Sequence, residues 1–168
     1  MLKKEVSQRE LDRYFNYYSE KSLTLNSRII QGICAFGLYF GLLGLSWSIP
    51  FPYLQFLGQY NSYFNWASFV IAFSIYYYSK LSPLLSYVML FLTLVFTYLI
   101  TILEKQELDN KQVMILTFVS ILLGFELVRL ISYKLAGKSS TLKMELTFIL
   151  IGPIWIVHFL LKKWFVKY

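Results

Sequence analysis

Between Arg28 and Glu104 this chain carries a single charged side chain, Lys80. A hydrocarbon core takes about 20 mostly apolar residues per helical crossing, so the stretch is long enough for several crossings. Inside lipid, every backbone amide must find its partner within the protein. The bilayer therefore decides the fold, and an all-α integral membrane protein is expected. Hydrophobic residues make up 57% of the 168, which excludes an ordinary soluble domain. The length is that of one domain.

The net charge of +7 could suggest a nucleic acid partner. The basic residues, however, sit in the N-terminal tail and at the ends of apolar segments, not along one face. That is the pattern of loops held at an anionic membrane surface, and no nucleic acid partner is expected. Cys34 is the one cysteine, which excludes an intrachain disulfide or a cysteine metal cluster. It falls within the first apolar segment and reads as a small packed hydrophobe. The first 28 residues are polar, without the apolar run and small-residue cleavage site of a secretory signal. The first apolar segment is therefore expected to stay in the mature protein. The chain divides into a cytoplasmic amphipathic segment, 1–28, and a multi-span domain, 29–168.

Residues 7–20 read as an amphipathic helix. Ser7 and Glu10 have capping-box spacing. Leu11, Tyr14, Phe15 and Tyr18 recur on one helical face, opposite Arg9, Asp12, Arg13 and Asn16. Such a helix lies on the membrane or covers the cytoplasmic mouth of a bundle. The first span runs from about Ile29 to Trp47 and stops before Pro50 and Pro52. Gly37 and Gly41 give it a small-xxx-small face, a route either to a homo-oligomer or to close packing within one chain. The second and third spans, from about Tyr63 to Tyr78 and from about Leu84 to Leu103, form a hairpin about the turn Ser79–Pro83. Tyr76, Tyr77 and Tyr78, with Tyr63 and Trp66 at the other end, suit interfacial aromatic belts. The fourth span, from about Val113 to Ile131, contains Glu126 and Arg129 three residues apart on one face. The last apolar segment, Leu146 to Leu161, is short and broken by Gly152-Pro153.

Charge asymmetry orients these spans. The N-terminal segment, Lys80, the Lys134–Lys143 loop and the C-terminal lysines are all basic, whereas 48–62 and 104–111 have no basic excess. With the N-terminus cytoplasmic, four full spans and a re-entrant or strongly tilted fifth helix, kinked at Pro153, keep every basic segment inside. Five full spans are the alternative and would place Lys162, Lys163 and Lys167 outside. The host membrane is a bacterial inner membrane or an endoplasmic reticulum.

Several pieces in order along the chain have a familiar look. They are Tyr18 and Glu20, then Gly44-Leu45-Ser46-Trp47-Ser48-Ile49-Pro50-Phe51-Pro52, Asn65-Trp66-Ala67 and Leu81-Ser82-Pro83. Later come Lys134-Leu135-Ala136-Gly137-Lys138, Ile151-Gly152-Pro153-Ile154-Trp155 and the closing Lys167-Tyr168. In these the chain resembles the small multi-span membrane family that includes the fungal 2-hydroxy fatty acid dioxygenase. The resemblance implies iron(II) held by histidines, two in a motif His-x-Asn-Pro-x-Asn-x-x-x-His and another in Gly-His-Lys-x-Glu-Gly-Lys-x-Pro. Aligned on the flanking matches, the first two correspond to Ser22 and Gln31. The later Gly-His corresponds to Ser132-Tyr133, the Glu to Ala136 and the Pro to Ser140.

Every histidine that the resemblance assigns to iron is thus replaced, and Ser and Gln are poor ligands for a site that needs a compact histidine–carboxylate set. The one histidine, His158, lies outside both motifs and reads as a hydrogen-bonded core or interface residue. No cofactor is expected, iron(II) being the exception if the family chemistry survives. Glu126 and Arg129 are ionisable at membrane depth, which costs about 2.5–3.5 kcal/mol each on insertion scales. They form, with Gln31 and Tyr133, a candidate polar cluster able to hold a carboxylate or phosphate head group. The plainer alternative is an i, i+3 pair near the interface with Arg129 snorkelling. Three functional classes follow: a catalytically silent relative that binds a lipid or fatty acid in the bundle, an iron-dependent lipid oxygenase with rearranged ligands such as Tyr133, Glu126 and His158, or an oligomeric scaffold acting through the Gly37–Gly41 face.

Overall fold

The computed structural model describes residues 16, 25–56, 58–59, 64–106, 110–135 and 142–163. Among these there are five helices and no strand: α1 (Leu25–Ser48), α2 (Trp66–Leu81), α3 (Pro83–Gln106), α4 (Lys111–Leu135) and α5 (Leu142–Lys163). The stretch 7–20 lies outside the described residues except for Asn16, which is helical and exposed. Ser22, Tyr63, Ala136, Ser140 and the closing Lys167-Tyr168 also lie outside them.

Local chemistry sets the helix ends. α1 stops where Pro50 and Pro52 withhold the amides that would continue it, and its last bonds close from Ile49 N to the Leu45 carbonyl at 3.2 Å. α2 starts at Trp66, three residues later than expected, because Asn65 caps it. The Asn65 Oδ1 accepts from Ser68 N at 3.0 Å and from Ser68 Oγ at 3.2 Å. The hairpin turn is one residue, Ser82. It ends α2 with a bond from its N–H to the Tyr78 carbonyl and receives Ser86 N on its own carbonyl. Pro83 then occupies the first helical position, where its missing N–H costs nothing. Asn110 caps α4 by accepting from Gln112 N at 2.9 Å.

α5 is a single helix through Gly152-Pro153, not the broken segment expected. Pro153 cannot donate to the Ile149 carbonyl. One residue on, the Leu150 carbonyl accepts from the Tyr78 hydroxyl at 2.8 Å. Tyr78 is thereby fully buried and does not belong to an interfacial belt. Of the aromatic residues placed there, Tyr76 and Trp66 are exposed, with Lys80 over the Tyr76 ring and the Trp66 indole bonded to the Pro50 carbonyl.

α1 is the centre of the bundle and touches each of the other four helices. Gly44, Gly41 and Gly37 lie against Phe118, Leu122 and Phe125 of α4, which sets the two helices antiparallel. Gly32 lies against Ile156 and Ala35 against Gly152, so α5 is also antiparallel to α1. α3 runs parallel to it: Tyr39 bonds Thr93 and Trp47 bonds Glu104. A Cβ at Gly37 or Gly44 would fall inside a facing ring, and one at Gly41 would come within 2.9 Å of Leu122. The Gly37–Gly41 face is therefore occupied by α4 within one chain.

The outward faces are apolar. Tyr87, Phe91, Leu94 and Tyr98 form an exposed stripe on α3, and Leu116, Leu123 and Leu127 another on α4. Such surface is tolerated in lipid and not in water. Three segments are long and apolar enough to cross a membrane: Ser27–Ser48, Pro83–Lys105 and Lys111–Leu135. α2 has 16 residues, about 24 Å at 1.5 Å per residue. The apolar part of α5, Thr147–Phe159, measures about 20 Å on the same rise.

These contacts predict a position-specific response to one added methyl group. Gly44→Ala should destabilise the bundle by about 1–3 kcal/mol, the usual cost of overpacking. Gly124→Ala, where nothing lies within 4 Å, should be neutral or slightly stabilising. Thermal unfolding in detergent, followed by circular dichroism, separates the two; equal behaviour would refute the α1–α4 contact.

Candidate functional site

The expected polar residues fall at the junction of α1, α4 and α5. Arg129 is 1% exposed and makes a bidentate pair with Glu126, Nη2 to Oε1 at 2.6 Å and Nε to Oε2 at 3.1 Å. Two parallel charge-assisted bonds of this kind fix the guanidinium plane. That plane is walled by the Phe148 ring of α5, 4.5 Å from the guanidinium carbon, and by the Tyr133 ring, 5.4 Å away. The aromatic faces favour the cation where water is absent.

Arg129 does not snorkel. Its partner is one turn earlier, so the side chain runs towards the α4 N-terminus and away from the nearer helix end. Helical side chains lean this way by default, and Glu126 and Phe148 hold it there. The charge stands at about the level of residue 126, roughly 5 Å along the axis from the midpoint of α4.

Gln31 is fully buried on α1. The pairing 44/118, 41/122 and 37/125, carried down the helices, puts it level with residue 131, between Arg129 and Tyr133. Its Nε2 reaches Ser27 Oγ at 3.4 Å, and its Oε1 has no hydrogen bond among the described residues. Cys34 is buried on the same helix and reduced. His158 is half-buried on α5, away from the ion pair.

Sequence reasoning did not find the second feature, an apolar groove of about 880 Å³ between α1, α2 and α5. Leu42 and Ser46 line it from α1 and Ile49 from just past its end, Val70 and Ser74 from α2, and Ile149 and Leu150 from α5. Its polar groups are few: Ser46 Oγ is turned to the Leu42 carbonyl at 2.8 Å, and Ser74 is buried. Along α2 it extends from Trp66 to Tyr77, about 16 Å, close to half of a hydrocarbon core about 30 Å thick. α5 serves both features, since Phe148 faces Arg129 while Ile149 and Leu150 line the groove. Pro153 was the available signal, because it interrupts helix bonding just where Tyr78 docks.

The positions that the resemblance assigns to iron can be tested against this geometry. Gln31 supplies a neutral amide and Tyr133 a phenol beside the Arg129 cation. Glu126, the carboxylate at hand, is engaged by that same cation. Among the described residues no three His, Cys, Asp or Glu side chains come together. A guanidinium beside Tyr133 opposes a dication there, and an amide and a phenol are poor donors for one, so Gln31 and Tyr133 do not fit iron(II). No family model, curated protein or solved structure matches the chain.

The buried pair predicts a strong asymmetry. Arg129→Ala leaves Glu126 uncompensated and should cost about 3–5 kcal/mol. The double variant Glu126→Gln/Arg129→Met should recover most of that loss. Unfolding of both variants in mild detergent gives the comparison, and a double variant no more stable than Arg129→Ala would refute the pairing.

Proposed function

We propose that this chain is a multi-pass membrane protein that holds a lipid or fatty acid in its helical bundle. On this reading it is a catalytically silent relative of the family that includes the fungal 2-hydroxy fatty acid dioxygenase. The observation that carries the proposal is the groove between α1, α2 and α5. It is apolar, large enough for an acyl chain, and about one leaflet deep. The poor fit of Gln31 and Tyr133 to iron argues for binding without oxidation. Arg129 supports the groove indirectly, by holding the Phe148 face of α5 while Ile149 and Leu150 line the groove.

The proposed topology is four spans with the N-terminus cytoplasmic and α5 re-entrant or strongly tilted. Two observations support it. α4 and α5 both run antiparallel to α1, so their C-terminal ends lie at the same end of the bundle. Only six residues, 136–141, join these parallel neighbours. Fully extended, that connection reaches about 24 Å, less than the roughly 30 Å needed to return across a hydrocarbon core. Two consecutive full crossings in the same direction are therefore disfavoured.

Protein purified in mild detergent without chelator should carry lipid and far less than one iron per chain. Val70→Trp, which fills the groove, should reduce the co-purifying lipid severalfold without unfolding the bundle. Mass spectrometry of the extract and metal analysis of the same sample give both readings. Near-stoichiometric iron would restore the oxygenase alternative; unchanged lipid would remove the groove from the account.

In a Cys34→Ala background, single cysteines placed at residue 5 and residue 166 should label from the same side with a membrane-impermeant maleimide. Opposite sides would mean five full spans.

A further inference from the structure

A second apolar recess, of about 240 Å³, lies between the first turns of α1 and the last turns of α5. Ile33 and Phe36 line it from α1, and Trp155 and Phe159 from α5. Gly32 lets the two helices come close there, since a Cβ at that position would stand 3.1 Å from Ile156. Arg28 is the one charged residue in the lining, with its guanidinium carbon 5.2 Å from the centre of the Phe159 ring. It belongs to the first turn of α1, while Phe36 lies two turns deeper, about 12 Å along the axis. The recess thus has a cation at the helix-end level and hydrocarbon walls below it.

Among the described residues, the charge in the lining of this mouth is that of Arg28. Between Lys21 and Leu103, and again from Leu146 to Tyr168, the sequence contains no Asp or Glu. Lys162 and Lys163 follow Phe159 by three and four residues, in the last turn of α5. A groove with an apolar body and a cationic mouth complements an amphiphile with an acyl chain and an anionic head. Basic pockets between membrane helices recognise lipid phosphates in this way. A zwitterionic head would bring its own cation against Arg28 and lose the advantage.

We propose that the α1–α5 recess is a binding site for an anionic phospholipid, with one acyl chain against Ile33, Phe36 and Trp155 and its phosphate at Arg28. The site is separate from the groove on α2, so it stands or falls independently of the function proposed above.

Trp155 reports on it directly. The full-length chain with Trp47, Trp66 and Trp164 replaced by Phe is reconstituted in phosphatidylcholine vesicles. A minor fraction of the lipid is brominated-chain phosphatidylglycerol or, in parallel, brominated-chain phosphatidylcholine. The anionic bromolipid should quench Trp155 with an apparent affinity about fivefold higher, the effect of one basic residue at an anionic lipid surface. Arg28→Gln should abolish that preference, and Arg28→Lys should keep most of it. Equal quenching by the two lipids, or a preference that survives Arg28→Gln, would overturn the proposal. If the triple Phe variant does not fold, native mass spectrometry of the parent chain and of Arg28→Gln, each released from micelles containing both lipids, makes the same comparison.

Discussion

The close approach of α1 to its neighbours is the constraint on which the rest of the bundle depends. In lipid there is no hydrophobic gain from bringing apolar helices together, so contact must come from shape and from buried polar bonds. Gly37, Gly41 and Gly44 remove side chains from one face of α1 and admit Phe125, Leu122 and Phe118 into the space. Gly32 and Gly152 do the same for α5. Without these notches α1 could not touch four helices at once, and neither the ion pair nor the two grooves would have walls.

The second determinant is how the bundle treats its polar groups. A guanidinium near the middle of a membrane helix is tolerated only when charge, hydrogen bonds and aromatic faces replace water. Arg129 receives all three, from Glu126, Phe148 and Tyr133. The backbone follows the same rule. Pro153 disturbs the bonding of α5, and Tyr78 donates to the neighbouring Leu150 carbonyl across a helix boundary. Two contacts tie α5 to the bundle, the Arg129–Phe148 cation–π contact through α4 and the Tyr78–Leu150 bond through α2. They hold in place the helix that borders both recesses.

Much of this was legible from residue order alone. Lys80 as the single charge between Arg28 and Glu104 pointed to helices long and apolar enough to cross a membrane. Pro50, Pro52 and Pro83 marked helix boundaries, and the spacing of Glu126 and Arg129 required that they meet. Those are local or compositional signals, and helical geometry converts them directly into position. The direction of the Arg129 side chain was not legible, because snorkelling outwards and pairing inwards have the same sequence spacing. The burial of Tyr78 was hidden for a related reason. A run of three tyrosines suits an interfacial belt unless something on another helix accepts the hydroxyl.

The sequence by itself determined that the chain is helical and apolar along most of its length, roughly where its long helices lie, and which residues bear charge inside it. These follow from hydrogen-bond satisfaction in lipid and from the backbone limits of proline, both of which act on neighbours in the chain. Only the tertiary structure decided that the glycine face of α1 meets α4, that α5 lies antiparallel to α1, and that recesses open on two sides of α5. Those outcomes depend on pairs far apart in sequence, such as Gly44 with Phe118, Tyr78 with Leu150 and Arg28 with Phe159. No local propensity encodes such a pair; shape complementarity between whole helices selects it.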